Sequence, residues 1–341
     1  MVKERVKITQ IAGATGLSVA TVSRALNQDT AQLVKEVTKE KVYRAARRLN
    51  YVPNRMARSL RINKTNTFGY MMNFEADTIT GYMHEILGGI LDGLKGTNLD
   101  LKIISPGDHN SLSEIIRTHG LDGIILPHSY KYRFPDLDKE SQQHKKELWP
   151  VVLLNDHHPR FCMNQIYSDN YQTTKCLAEY LIGKGCRHFY FIGSGAGSPA
   201  ADERRRAFLE TLAKHGIRFN EERDTANGYF HEKGGYDNTM ALLAKRKDFR
   251  GAIFCINDAM ALGAIRAIDE AGLKCPEDIA VVGFDGIAAG GFSNPPLTTI
   301  KFDLYGMGRM AIGTLRDILS GKQKRYLKRS IPFRLLERQS A

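Results

Sequence analysis

Cysteine is scarce: the five residues, Cys162, Cys176, Cys186, Cys255 and Cys275, are odd in number and none sits in a CxxC pair. That spacing excludes a disulfide scaffold, a zinc ribbon and a redox dithiol, and leaves small reduced side chains in or near a core. Long apolar runs are missing too. None approaches the roughly 18–20 residues of a membrane helix, and the opening MVKERVKITQ is charged where a secretory signal carries an apolar stretch. A cytoplasmic protein with no membrane partner is expected. Phosphate-loop chemistry is only mimicked: FIGSGAG (Phe191–Gly197) lacks both GxGxxG and GK[ST] and reads as a tight strand-to-helix turn. His157, His158 and His188 have no partner at catalytic or metal spacing, so no catalytic set, metal site or cofactor emerges. There is no internal repeat and no low-complexity run. The basic tail after Leu319 (Lys322, Lys324, Arg325, Lys328, Arg329, Arg334, Arg338) has no leucine heptads of a coiled coil.

What is present is a globular composition with segregated charge. The 341 residues, 42% hydrophobic and 25% charged, can bury two or three domain cores. Residues 1–64 hold 14 Lys and Arg against 4 Asp and Glu, and the other 277 hold 35 against 33. The first fifth therefore carries +10 of the net +12, an asymmetry that points to a polyanionic partner. Within it, Ile8, Ile11 and Ala12 suit a short helix and Thr15-Gly16-Leu17 a turn. Ser18 stands as N-cap before a second helix from Val19 to Leu26. A third periodic stretch, Val34–Leu49, sets Val34, Val37, Val42, Ala45, Ala46 and Leu49 on one face and basic residues elsewhere. Two helices meeting at a tight glycine turn, with a third behind them, fit a helix-turn-helix module. Pro53 then fixes an entry φ for Asn54–Leu60, about two helical turns, too short to be stable alone in water.

From Thr67 onward, short apolar runs (Thr67–Met72, Leu101–Ile104, Gly123–Leu126, Val151–Leu154, Phe189–Ile192, Gly251–Ile256, Ile279–Gly283) alternate with helical stretches. This rhythm predicts parallel sheets with covering helices, and some 275 residues of it exceed one doubly wound sheet. Two lobes are expected.

GLSVATVSRALN (Gly16–Asn27) and LNYVPNRMARSL (Leu49–Leu60) resemble the DNA-binding headpiece and hinge of the LacI/GalR family of bacterial transcriptional regulators. Ser168–Gly193, Ala252–Leu273, Asp278–Gly286 and Asn294–Ile300 resemble the effector-binding core of the same family. The resemblance implies a small all-α helix-turn-helix headpiece plus an α/β two-lobed periplasmic-binding-protein-like body with parallel sheets. The expected divisions are 1–50 for the headpiece, 51–65 for the hinge helix and linker, 66–166 with 301–322 for the first lobe, and 167–300 with 323–341 for the second. It further implies a repressor of carbohydrate genes that binds a double-stranded DNA operator as a homodimer and answers to a small-molecule effector, a sugar.

Carried over by position, Val19 and Ala20 lead the base-reading face, with Ser23, Arg24 and Asn27 adding base and phosphate contacts. The Val19-Ala20 pair resembles the galactose-regulator subgroup. Methyl contacts from Val and Ala suit thymine, which leaves Arg24 to read a guanine. In the hinge, Leu60 matches the minor-groove wedge and Ala57 its small neighbour, while Asn54, Arg55 and Arg58 would hold the DNA backbone. In the cleft, Arg204, Asn257, Asp285, Phe230 and Asn155 match ligand-gripping positions, with Phe302, Asn73 and Ser129 behind them. Plainer readings compete: Arg204 paired with Asp202 or Glu203, Asn257 and Asp285 as turn or cap residues, Phe230 as core. Three departures stand out: Lys7 occupies the usual capping-Thr position and would pass the cap to Thr9, Thr15 replaces a small apolar Ala, and Ala200 replaces a sugar-contacting Ser. A nucleotide-cofactor enzyme and a solute-binding protein without DNA are the rival classes; the broken loop motif opposes the first and the +10 headpiece the second.

Overall fold

The computed structural model describes residues 6–26, 30–51, 64–72, 81–105, 111–127, 134, 136–195 and 198–341. The chain forms two compact units, Met1–Thr65 and Asn66–Ala341.

In the first unit, α1 (Ile8–Thr15), α2 (Val19–Leu26) and α3 (Glu36–Arg48) close over Ile11, Val22 and Val42, all fully buried, with Ala12, Ala25, Ala45 and Ala46 between them. Alanine at the crossings lets three short helices approach closely enough to share so small a core. The turn between α1 and α2 depends on Gly16, whose φ of 63° is in the left-handed region, where a Cβ is costly. Ser18 then accepts the Thr21 N–H at 3.1 Å, capping α2 as expected. Thr9 does not cap α1. Its start is closed by Gln10, whose Oε1 accepts the Lys7 N–H at 2.8 Å, since a side chain three residues in reaches back where Lys has no acceptor. Thr15 does no harm, because its buried hydroxyl donates to Ile11 O at 2.7 Å. A short 3-10 turn, Ala31–Leu33, precedes the third helix, which starts at Glu36, two residues later than the expected Val34.

The second unit holds two six-stranded sheets. The first contains β1 (Thr67–Met71), β2 (Asp100–Ile104), β3 (Gly123–Leu126), β4 (Val151–Asn155) and β5 (Asn164–Ser168). Its helices are α4 (Gly81–Leu94), α5 (Leu112–His119) and α6 (Leu137–Gln143). The second sheet contains β6 (Phe189–Gly193), β7 (Thr225–Asn227), β8 (Gly251–Cys255), β9 (Ile279–Asp285) and β10 (Thr298–Phe302). Among its elements run α7 (Asn170–Gly183), α8 (Pro199–Lys214), α9 (Glu221–Asp224), α10 (Glu232–Lys245) and α11 (Asp258–Glu270). After β10 the chain returns to the first lobe as α12 (Leu304–Leu319) and β11 (Lys328–Ile331), then crosses again as β12 (Phe333–Leu336). The strand orders are β11-β5-β4-β3-β1-β2 and β12-β10-β9-β8-β6-β7. Every pairing is parallel except β10 with β12. Phe191, Phe208 and Phe254 pack at ring-centroid distances of 4.9–5.7 Å in the second lobe's core.

One expected division is corrected. Residues 323–341 do not all belong to the second lobe: Lys328–Ile331 pairs in parallel with β5 in the first sheet, and only β12 joins the second. The basic residues read as a tail because both strands are sheet edges with one exposed face, a place where charged side chains are tolerated and even useful.

The α4–α12 contact is unusually close. A Cβ at Gly89 would overlap Tyr305 O, and one at Gly308 would overlap Ile86 O. Gly89→Ala is therefore expected to destabilise the body by about 1–3 kcal/mol through overpacking. Gly313→Ala, on the same α12 with nothing within 4 Å, should instead stabilise it by about 0.5–1 kcal/mol. Urea unfolding of the two variants checks the contrast.

Candidate nucleic-acid interface and ligand cleft

The cationic headpiece presents one outward helix face. Val22 and Ala25 turn α2 inward, which leaves Val19, 39% exposed, together with Ala20 and Arg24 facing solvent, and Ser23 half-buried. Spacing by 3.6 residues puts these positions on one side. Two methyl-bearing side chains and a guanidinium on a short helix can meet base edges in a major groove. Asn27, Asn54, Arg55, Ala57, Arg58 and Leu60 lie outside the described residues, as do Asn73 and Ser129.

In the body, the carboxyl ends of the strands and the amino ends of α7, α8 and α11 converge. Arg204, 4% exposed on α8, is the centre. Its Nε donates to Asn170 Oδ1 at 2.8 Å, its Nη1 to Ile256 O at 2.5 Å, and its Nη2 stands 3.8 Å from Asp285 Oδ1. Its guanidinium carbon sits 3.7 Å from the centre of the Phe284 ring. Arg204 therefore does not pair with Asp202 or Glu203. Asn257 acts as a cap, accepting the Met260 N–H at 3.0 Å, and its Nδ2 also donates to Phe230 O at 2.9 Å. That bond fixes a bend in which Tyr229 and Phe230 both have positive φ, 51° and 65°. Phe230 is half-buried and packs against the second lobe's core.

Asp285 occupies a strained conformation, φ 113°, followed by Gly286 at 69°. The neighbouring Asp258 holds this turn: its Oδ2 accepts the Ile287 N–H at 2.8 Å and its Oδ1 the Thr299 hydroxyl at 2.5 Å. Burial pushes the Asp285 carboxyl up to about 7, opposed by Arg204 and Lys301. Burial, and then repulsion from Asp285, push Asp258 up to about 8.

The structure thus joins Arg204, Asp285, Asn257 and Phe230 in one rim of the second lobe. Asn155 stands at the end of β4 in the first lobe, with φ 69° and a buried Oδ1 that has no hydrogen-bond partner. The next residue, Asp156, is near enough to act electrostatically on Arg204 and on Tyr82. Tyr82 on α4 and Ser168 at the end of β5 likewise have buried hydroxyls without partners. Residue-type reasoning missed Tyr82, Ser168 and Asp258. Ser168 and Asp258 lie inside the motifs Ser168–Gly193 and Ala252–Leu273, so position could have flagged them; Tyr82 carried no signal. Phe302, by contrast, is buried against Phe284, with the exposed Phe333 ring beside it, so its ring belongs to the core.

Similarity to known proteins follows the same division. Residues 7–54 match the family described as bacterial regulatory proteins, lacI family, and residues 178–341 match the periplasmic binding protein-like domain. The chain is 30% identical to the HTH-type transcriptional repressor CytR of Escherichia coli (strain K12) over 90% of its own length and 87% of that relative's. It belongs to the lacI family of bacterial regulatory proteins.

The HTH-type transcriptional repressor PurR of Pasteurella multocida (strain Pm70) is 28% identical, with 93% of each chain covered. Among solved structures, the Lac repressor bound to ONPG in its repressed state aligns with a TM-score of 0.82 at 25% identity, over 99% of this chain and 100% of that one. The transcriptional regulator CelR in complex with cellobiose aligns at 0.67 and 25% identity, again over 99% and 100%. This family member is accordingly a DNA-binding transcriptional regulator and not an enzyme. Among the described residues, no helix is long and apolar enough to cross a membrane.

The raised carboxyls fix the sign of a pH effect. Asp258 keeps its proton in the folded state at pH values where the unfolded chain has lost it. Stability should therefore fall as pH rises from about 4 through the folded values of about 7 and about 8. Asp258→Asn should flatten the upper part of that fall; urea midpoints between pH 5 and 9 test it, and an unchanged slope would contradict the assignment.

Proposed function

We propose that the chain is a dimeric repressor acting in the cytoplasm on a twofold-symmetric DNA operator, controlled by a small polyhydroxylated effector, a sugar, in the cleft between its lobes. The observation that carries the DNA reading is α2, with Val19, Ala20 and Arg24 turned outward in a segment that holds +10 of the net charge. In this reading Val19, Ala20, Ser23, Arg24 and Asn27 contact the major groove, while Asn54, Arg55, Ala57, Arg58 and Leu60 serve the minor groove and backbone. Twofold symmetry in the protein and in the operator supports one another, since two headpieces need two half-sites.

Support for the sugar comes from the rim itself. Buried hydroxyls of Tyr82 and Ser168 and the Asn155 carbonyl lack partners, and a ligand rich in hydroxyls satisfies such groups in pairs. Arg204, Asp285 and Asn257 add charged and amide contacts, and Phe230 an aromatic surface for apolar C–H faces. The solved relative in complex with cellobiose holds a ligand of this class. Binding that favours one lobe arrangement by about 1.4 kcal/mol changes operator affinity tenfold.

Selection of duplexes from a random library by the full chain tests the reading. An inverted repeat should be enriched, and deletion of residues 1–62 should abolish that binding. Arg24→Ala should weaken the selected site by about 10–100-fold, with little effect on random duplex. Equal loss on both DNAs would remove Arg24 from base reading.

A further inference from the structure

One face of α4 crosses between the lobes. Gly81, Tyr82 and Glu85, spaced i, i+1 and i+4, share a side of this first-lobe helix, and each meets the second lobe. A Cβ at Gly81 would sit 3.2 Å from Ile287, so the helix start rests on the turn after β9. Tyr82 lies within the electrostatic reach of Asp285 and Arg204. Glu85 closes the joint: Lys301 Nζ donates to both of its carboxylate oxygens, at 2.7 and 2.8 Å.

Lys301 is not an incidental partner. It is the registered neighbour of Asp285 across the parallel β9–β10 pair, so both side chains leave the same face of the sheet. Its stem also packs against Gly286, where a Cβ would come within 2.7 Å of Lys301 Cα. Only Phe302 separates it from Asp303, where the chain crosses back into the first lobe as α12. At 23% and 27% exposure the two charged side chains are half-shielded from water, where solvent screens them less than a surface pair. Charges of alternating sign, Arg204, Asp285, Lys301 and Glu85, thus run from the ligand-gripping rim into the first lobe. The close α4–α12 packing at Gly89 and Gly308 then ties Glu85 to the helix that follows the crossing.

We propose that the Glu85–Lys301 pair is an interlobe clasp, two positioning residues that lock the first lobe to the Asp285 turn, so that cleft geometry and operator affinity change together. A two-pronged bond at these distances is lost after a displacement of about 1 Å. Any ligand that shifts Asp285 therefore acts on the clasp beside it. The link to operator affinity rests on the regulator reading above; the clasp itself does not.

Hydrogen exchange on the full chain separates the two. Glu85→Gln and Lys301→Met should each speed exchange about tenfold in peptides covering Gly81–Leu94 and Asp285–Phe292, while β8 stays protected. Lys301→Arg, which keeps a cation beside Asp285 and within reach of Glu85, should stay close to wild type. On the duplex selected by the wild-type chain, both disrupting variants should change affinity at least about fivefold. Unchanged exchange in those variants, exchange in Lys301→Arg as fast as in Lys301→Met, or faster exchange with unaltered operator affinity would overturn the proposal. A wild-type chain that selects no duplex would sink the regulator reading instead, and the exchange data would still decide the clasp.

Discussion

The body is organised around a buried guanidinium. Arg204 cannot be hydrated where it sits, so its charge must be met by Asn170, Ile256 O, the Phe284 face and Asp285. The four partners come from three segments: the start of α7, the residue after β8, and the end of β9. One side chain therefore fixes the relative positions of two strand ends and a helix start, the place where an open parallel sheet binds ligands. Asp285 meets that charge only because its backbone is held at a positive φ, and Asp258 supplies the bonds that hold it. The rim is thus held in shape by groups behind it, Asp258 above all.

Charge is divided along the chain in a way that matches the two tasks. The headpiece has a core of three fully buried aliphatic residues and a few alanines, enough to set one helix face outward, and its net positive charge is available for phosphate. The body is close to neutral overall, with 35 basic against 33 acidic groups. Polyanion binding by the headpiece and recognition of a small polar molecule by the body therefore place few conflicting demands on each other. Within the body the chain passes between the lobes at 168–170, 302–304 and 331–333.

Periodicity made the helices and the apolar strands legible, because buried parallel strands read as unbroken runs of Val, Ile, Leu and Phe. It failed at β5. Asn164 and Gln165 are fully buried there, yet both are polar: Asn164 accepts from Leu327 N, and Gln165 accepts from His158 N. These side chains tie the β4–β5 loop and the C-terminal segment together, so their burial is a tertiary fact with no local signature. The same holds for β11 and β12, where edge position permits Lys and Arg. In the cleft, Arg204, Asn257, Asp285, Phe230 and Asn155 could be named from motif position, but their partners could not. That Asn257 would spend its amide on Phe230 O, or that Tyr82 would arrive from the other lobe with a bare hydroxyl, depends on chain segments far apart in sequence.

In the proposed function the Arg204–Asp285 rim receives a small hydroxylated ligand. The most direct test is a thermal-shift screen of the full wild-type chain and of Arg204→Ala against neutral sugars, sugar acids, sugar phosphates, nucleosides and purines. A ligand at 100 times its dissociation constant adds about 2.7 kcal/mol to the native state. A neutral sugar should raise the wild-type midpoint and leave that of Arg204→Ala where it was. Equal stabilisation of both proteins would place the ligand elsewhere and contradict the claim.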